Sequence, residues 1–306
     1  MADPANSSEI ALLLQGKESH IPHSQLGILW YQFRRHKMAV AGLAFLILMF
    51  MAAIFAPVIA PYDPTELDPS YAMGKPQPPS SQHWFGTDKM GRDLFSRALY
   101  GARISLSVGF MAMGIATLIG LVVGSLAGFY GGVLDNILMR LADIFLSLPT
   151  FYLILTANAL LTPSIYNVMI IIGLFDWMGV ARLVRGEFLR LINTDFIVAA
   201  RAVGVPNLRM ILNHLLINSM APVIVAATIG IPWAILLESA LSFLGLGVPP
   251  PFASWGNMLY DGKPYLHLAW WMWVPPGLLI SLTVIAFNFV GDGLRDAFDP
   301  LERGRG

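Results

Sequence analysis

Six stretches of this sequence are too apolar and too long to be solvated, and they constrain the chain more than any other feature. They are Ala39–Ala60, Ile104–Phe129, Asn136–Leu161, Tyr166–Leu183, Met220–Leu241 and Trp271–Val290. A helix needs about 20 apolar residues to cross the roughly 30 Å hydrocarbon core of a bilayer. Each stretch is continuously apolar and lacks the period-two alternation of barrel strands, so helices are expected. The deficit of charge agrees: charged residues make up 12% of the 306 and hydrophobic residues 56%. Soluble domains carry about 25% charged residues. The first stretch follows a polar segment, exceeds a signal-peptide core and lacks a small-residue cleavage site, so it is expected to be an uncleaved anchor.

Lysine and arginine placement orients these spans. Arg34, Arg35 and Lys37 precede the first, Arg182, Arg185, Arg190, Arg201 and Arg209 surround the connection between the fourth and fifth, and Arg295, Arg303 and Arg305 follow the last. Placing them inside puts both termini in the cytoplasm, as an even number of spans requires. Lys75, Lys89, Arg92, Arg97 and Arg103 in the first outside loop run against the rule; Asp63, Glu66, Asp68, Asp88 and Asp93 accompany them, although acids count little toward orientation. With no cysteine, disulfides and thiolate metal sites are excluded, and a net charge near zero suggests no nucleic-acid partner.

Between the spans the chain has distinct local character. Residues 1–23 have the polar composition of a loose tail. Leu26, Leu29, Trp30 and Phe33 recur at helical spacing beside Arg34 and Arg35, which predicts an amphipathic helix lying at the lipid surface, with an extension of the first span as the alternative. Residues 61–100 are too rich in proline for a helix and read as an ordered outside loop; 242–270 form a second, ending in Trp270, Trp271 and Trp273 at the interface. Gly120, Gly124 and Gly128 fall on one helix face and suit close packing, within the chain or against a partner.

Asn193–Asn218 reads as two short helices meeting at a corner. Thr194 or Asp195 caps the first, Gly204 suits the left-handed position that ends it, and Pro206 suits the first turn of the second. Ala199 and Ala200 allow close approach to the backbone, and Arg201 and Arg209 are available to acidic groups. The choice is between a docking element and a solvated basic loop. Within the spans, Asp143 is expected to pair with Arg140 three residues away. Asp176 and Glu238 are candidates for the transport pathway, with structural pairing as the competing reading. No G-x-x-x-x-G-K-[ST] or G-x-S-x-G occurs and the histidines are scattered, so neither an ATP-binding loop, a hydrolase site nor a metal site is expected.

The corner resembles the "EAA" loop of permease subunits in ATP-binding-cassette importers, matching it at Ala199, Ala200 and Gly204. It departs at Val198, where Glu is typical, and at Ile217, where Pro is typical. The run His83–Asp93 (HWFGTDKMGRD) is similar to the FGTD…GRD signature of dipeptide and oligopeptide permeases. Tyr100–Leu106, Phe243–Gly247, Ser254–Gly256, Phe287–Asp296 and Asp299-Pro300 extend the resemblance over nearly the whole chain and point to the C-type subunit. The resemblance implies an all-α, polytopic type I importer permease of about six transmembrane helices with a cytoplasmic coupling helix. It also implies a B-type permease partner, two cytoplasmic ATPase subunits that hold ATP and Mg, an extracytoplasmic solute-binding protein, and no cofactor or catalysis in this chain. ATPase coupling would fall to Ala199, Ala200, Arg201, Gly204, Leu208, Arg209 and Leu212.

The corresponding division is a cytoplasmic tail with its interfacial helix (1–37), a first span (38–60), an extracytoplasmic loop (61–101), a five-span core (102–291) with the coupling loop at 184–218, and a cytoplasmic tail (292–306). The cargo expected is a di- or oligopeptide. Nickel complexes, opines or glutathione-like peptides on the same architecture are the alternatives, as is, in another class, an ion-driven secondary transporter.

Overall fold

The apolar stretches are helical in the computed structural model, which describes residues 25–67 and 75–298. Among these residues, four helices are long and apolar enough to cross a membrane: Lys37–Ile54 (α2), Leu94–Tyr130 (α4), Asn207–Phe243 (α9) and Trp270–Phe298 (α11). The other two expected spans are each a bent pair. Gly132–Ser147 and Thr150–Leu160 (α5 and α6) meet at 86°, and Ile165–Leu174 and Trp177–Leu191 (α7a and α7b) at 40°. Six spans result only if each pair counts as one. The sharper break has a local cause: Leu148 precedes Pro149, whose ring disfavours helical backbone at the residue before it. Leu148 accordingly sits in extended conformation (φ −91°, ψ 144°).

Helix boundaries also differ from expectation. Helix α4 begins at Leu94, within the expected loop 61–101, because Asp93 caps it by accepting a hydrogen bond from the Ser96 N–H at 2.7 Å. At 1.5 Å per residue its 37 residues extend roughly 55 Å, well beyond the hydrocarbon core. Helix α11 likewise runs past residue 291, to Phe298.

Packing gives the order of the bundle. The glycine face of α4 packs within the chain against α7b. A Cβ on Gly120 would come 2.6 Å from the Val180 Cβ, one on Gly124 2.4 Å from the Ala181 carbonyl oxygen, and one on Gly128 2.6 Å from the Phe188 Cβ. These pairs ascend together, so the two helices run parallel. Helix α9 runs antiparallel to α4, with Gly109 against Ile235 and Gly230 against Met113. Helix α2 runs antiparallel to α11, with Gly42 against Ala286 and Ala39 against Gly293.

The amphipathic stretch is a helix of its own, Gln25–Arg35 (α1), separated from α2 by a break at His36 (φ −84°, ψ 89°), rather than an extension of the first span. Phe33 is buried and lies against Gly293, while Trp30 and Tyr31 are exposed. A single turn, Ala56–Ile59 (α3), follows α2. One end of the bundle therefore carries α1, the last turn of α11 and the 192–216 corner. The other carries residues 75–93 and a short helix, Trp255–Gly262 (α10), that packs on Gly101 and Ala98 of α4. Residues 1–23, Arg303, Arg305 and the Asp299-Pro300 ending lie outside the described residues.

Candidate functional site

The corner is built by backbone hydrogen bonding. The helix Asp195–Ala202 (α8) ends with Val205 N–H donating to the Ala200 carbonyl at 3.2 Å and Gly204 N–H donating to the Arg201 carbonyl at 3.0 Å. This crossed pair is the Schellman arrangement and needs a left-handed residue between its arms. Gly204, at φ +81°, supplies it. Thr194 is the N-cap, but its hydroxyl donates back to the Leu191 carbonyl at 2.6 Å instead of accepting from the helix. Pro206 sits one position earlier than expected, at the N-cap of the helix that begins at Asn207.

Four side chains anchor the corner: Ile197, Met210, Ile211 and Leu215 are buried. Much of the remainder faces outward. Ala199, Arg201, Gly204, Leu208, Arg209 and Leu212 are exposed and Ala200 is half-buried. Val198, Val203 (81% exposed) and Leu208 form an apolar rim with no covering element among the described residues. Neighbouring arginines on α7b are paired: Arg185 holds Asp135 of α5 through two bonds at 2.5 and 2.7 Å, and Arg190 holds Glu187. Arg201 and Arg209 form no ion pair among the described residues. The corner thus offers apolar contact and two unspent positive charges. It joins α7b on one side and α9 on the other, the latter through a π-helical segment, Met210–Leu216.

The acids of the apolar stretches lie in three different settings. Asp143 does not pair with Arg140; it accepts a hydrogen bond from Arg182 of α7b, because α5 lies alongside that helix. Glu238 is wholly buried within this chain. Ser242 Oγ donates to it at 2.7 Å and Ser105 Oγ at 3.2 Å. Ser105 in turn accepts from the Trp255 backbone N–H at 3.2 Å, and the Trp255 indole donates to the Ala98 carbonyl at 3.1 Å. Glu238 therefore ties α4, α9 and α10 together. Asp176 lies half-buried in the break between α7a and α7b, where it caps nothing.

The opposite end holds a charge knot made by the FGTD…GRD run. Asp88, completely buried, accepts from the backbone N–H groups of Met90 and Arg92 at 2.8 and 3.0 Å and from Arg92 Nε at 2.6 Å. Arg92 also reaches Asp261 of α10 at 3.1 Å. His83 Nδ1 and Asp93 Oδ1 are 2.9 Å apart. Gly86, at φ +73°, lets the turn close: a Cβ there would stand 2.5 Å from the Gln77 carbonyl oxygen.

Residues 120–304 match the family described as "binding-protein-dependent transport system inner membrane component", and residues 24–79 match "N-terminal TM domain of oligopeptide transport permease C". The chain is 42% identical to a dipeptide transport system permease protein of Bacillus subtilis (strain 168), over 89% of this chain and 84% of that one. It is 39% identical to the oligopeptide transport system permease protein of the same organism, over 97% of both. A di/tripeptide transport system permease protein of Pseudomonas aeruginosa (strain UCBPP-PA14) is 41% identical over 90% of this chain and 92% of its own. Among solved structures, an inward-facing MetNI methionine ABC transporter matches with a TM-score of 0.55 and 21% identity, covering 67% of this chain and 98% of that one, which bears on the fold.

Proposed function

The chain belongs to the binding-protein-dependent transport system inner membrane components, among the C-type permeases of dipeptide and oligopeptide importers, and from that premise we propose how it works. It carries short peptides across a bacterial inner membrane, sharing the pathway with a B-type permease. Two cytoplasmic ATPase subunits bind ATP and Mg and perform the hydrolysis, and an extracytoplasmic solute-binding protein delivers the cargo. The relatives are peptide permeases by name, so the nickel, opine and glutathione-like cargoes and the ion-driven alternative are not favoured.

The end bearing α1, the corner and the last turn of α11 lies in the cytoplasm; the concentration of Arg34, Arg35, Lys37, Arg201, Arg209 and Arg295 there supports this orientation. Helix α1 then lies at the inner lipid surface with Trp30 and Tyr31 toward lipid. The single observation that carries the mechanism is the corner's construction. It is a hydrogen-bonded turn whose apolar rim is uncovered and whose two arginines are unpaired among the described residues, anchored by Ile197, Met210, Ile211 and Leu215 and continuous with two membrane-crossing segments. Seated in a groove of the ATPase, it moves with that subunit, and the anchors pass the movement to α7b and α9 as a rigid-body shift. Val198 presents a methyl surface where the family pattern has Glu, so docking here relies on apolar contact and on Arg201 and Arg209.

The absence of cysteine makes the test direct. In the assembled transporter, with native cysteines of the other subunits replaced, Val203→Cys is expected to cross-link to a single-cysteine ATPase through a short bis-maleimide. Trp84→Cys, exposed at the opposite end, is expected not to. Cross-linking from Trp84→Cys and none from Val203→Cys would reverse the orientation and remove the docking role.

A further inference from the structure

The charge knot opposite the corner borders a cavity of about 550 Å³, within the ~300–1,000 Å³ range of small-ligand pockets. Lys89, Arg92, Arg97 and Asp261 stand on its wall, alongside apolar surface from Leu161, Val248 and Phe252. Three cationic side chains here share two carboxylates. Asp88 is saturated by Arg92 and two backbone N–H groups. Asp261 is divided among Arg92 at 3.1 Å, Arg97 at 3.4 Å and Lys89 at 3.6 Å. The remaining nearby acid, Asp93, is engaged by His83 and the Ser96 N–H.

Arg97 is the group left short. Its side chain is 2% exposed, yet its contacts are long: 3.4 Å to Asp261, 3.4 Å to the Pro64 carbonyl and 3.9 Å to Asp88. Its Nε donates to nothing among the described residues. A buried guanidinium is costly unless its fork of donors is satisfied, and the group that satisfies it best is a carboxylate. Lys89 is more exposed than the arginines, and its contact with Asp261 is the longest, so it can swing toward a newcomer at little cost.

We propose that this cavity is a binding site for the carboxylate end of a short peptide, with Arg97 and Lys89 as its cationic partners and the apolar wall receiving the peptide's side chains. In the orientation above the cavity opens to the extracytoplasmic side, where cargo arrives, and the inference rests on the peptide-transport reading. The site would take any peptide with a free C-terminus, because both partners read the carboxylate and not the sequence.

The test uses the assembled permease–ATPase complex in nanodiscs, without its solute-binding protein, and equilibrium dialysis of radiolabelled tri-alanine and of its C-terminal amide. Tri-alanine is expected to bind saturably and the amide about tenfold more weakly, the scale of one charge-assisted hydrogen bond. Lys89→Gln should weaken tri-alanine severalfold and leave the amide unchanged, since a coupled pair loses its interaction only when both partners are present. Equal binding of acid and amide, or equal weakening of both by Lys89→Gln, overturns the proposal. A parallel import assay in proteoliposomes with the solute-binding protein separates the two readings. Import of tri-alanine without saturable binding to the complex removes the cavity site alone, whereas failure to import any peptide removes the transport reading and the site with it.

Discussion

Substitution of Gly204 discriminates between a rigid coupling corner and a solvated loop. The residue sits at φ +81°, and nothing lies within 4 Å of where a Cβ would be. Gly204→Ala therefore meets no steric neighbour and incurs only the left-handed backbone strain, about 1–2 kcal/mol. Gly204→Pro acts in three ways. The ring fixes φ near −65°, which φ +81° cannot accommodate. It deletes the N–H that donates to the Arg201 carbonyl at 3.0 Å. It also disfavours the present backbone of Val203 (φ −85°, ψ 8°), which would become the residue before a proline. Together these cost about 3 kcal/mol or more, enough to reduce the population of the native corner at least ~100-fold. In the reconstituted importer, ATP hydrolysis stimulated by cargo-loaded binding protein should persist within about 30-fold in Gly204→Ala and fall to the unstimulated level in Gly204→Pro. Membrane insertion of both should be normal, because Gly204 lies outside the membrane-crossing helices. Full stimulation in Gly204→Pro, or identical losses in the two variants, would refute the claim that this geometry transmits closure.

Other consequences follow from the packing. Glu238→Gln keeps hydrogen-bonding capacity inside the serine cage, so peptide uptake should stay within about twofold of the parent; Glu238→Ala leaves the hydroxyls of Ser105 and Ser242 facing a void and should lower thermal stability by about 2–4 kcal/mol in detergent, measured by fluorescence melting. If Glu238→Gln abolishes uptake without a change in melting, Glu238 has a role in the pathway that its burial does not suggest. Gly124→Leu forces a side chain into the Ala181 backbone and should cost about 1–3 kcal/mol or separate α4 from α7b; a variant as stable as the parent would contradict the close approach. Asp88→Ala strips Arg92 of its shortest partner in a buried setting and should cost about 3–5 kcal/mol, read as loss of folded protein on size-exclusion chromatography. A monodisperse, fully stable Asp88→Ala protein would show that the knot is dispensable.

Much of this molecule is legible in one dimension because lipid and local backbone chemistry impose local rules. A continuous apolar run must satisfy its own backbone bonds, so α2, α4, α9 and α11 are evident from composition alone. The corner is equally local: Gly204 and Pro206 carry backbone preferences that hold whatever surrounds them. The π-helical segment at Met210–Leu216 has no comparable signal in the sequence.

What the tertiary structure alone decided is which partner each side chain meets. Asp143 had a plausible neighbour three residues away in Arg140, but α5 lies beside α7b and Arg182 takes the contact. Gly120, Gly124 and Gly128 announced a close approach without naming the helix, and α7b fills that place. Glu238 is the same residue type whatever it meets, and only the packing shows that serines of α4 and α9 donate to it. The knot joining Asp88, Arg92 and Arg97 to Asp261 spans most of the chain in sequence and a few ångströms in space. Periodicity and turn chemistry act over a few residues and can be read along the chain; a buried charge is placed by long-range packing, which appears only when the helices have found one another.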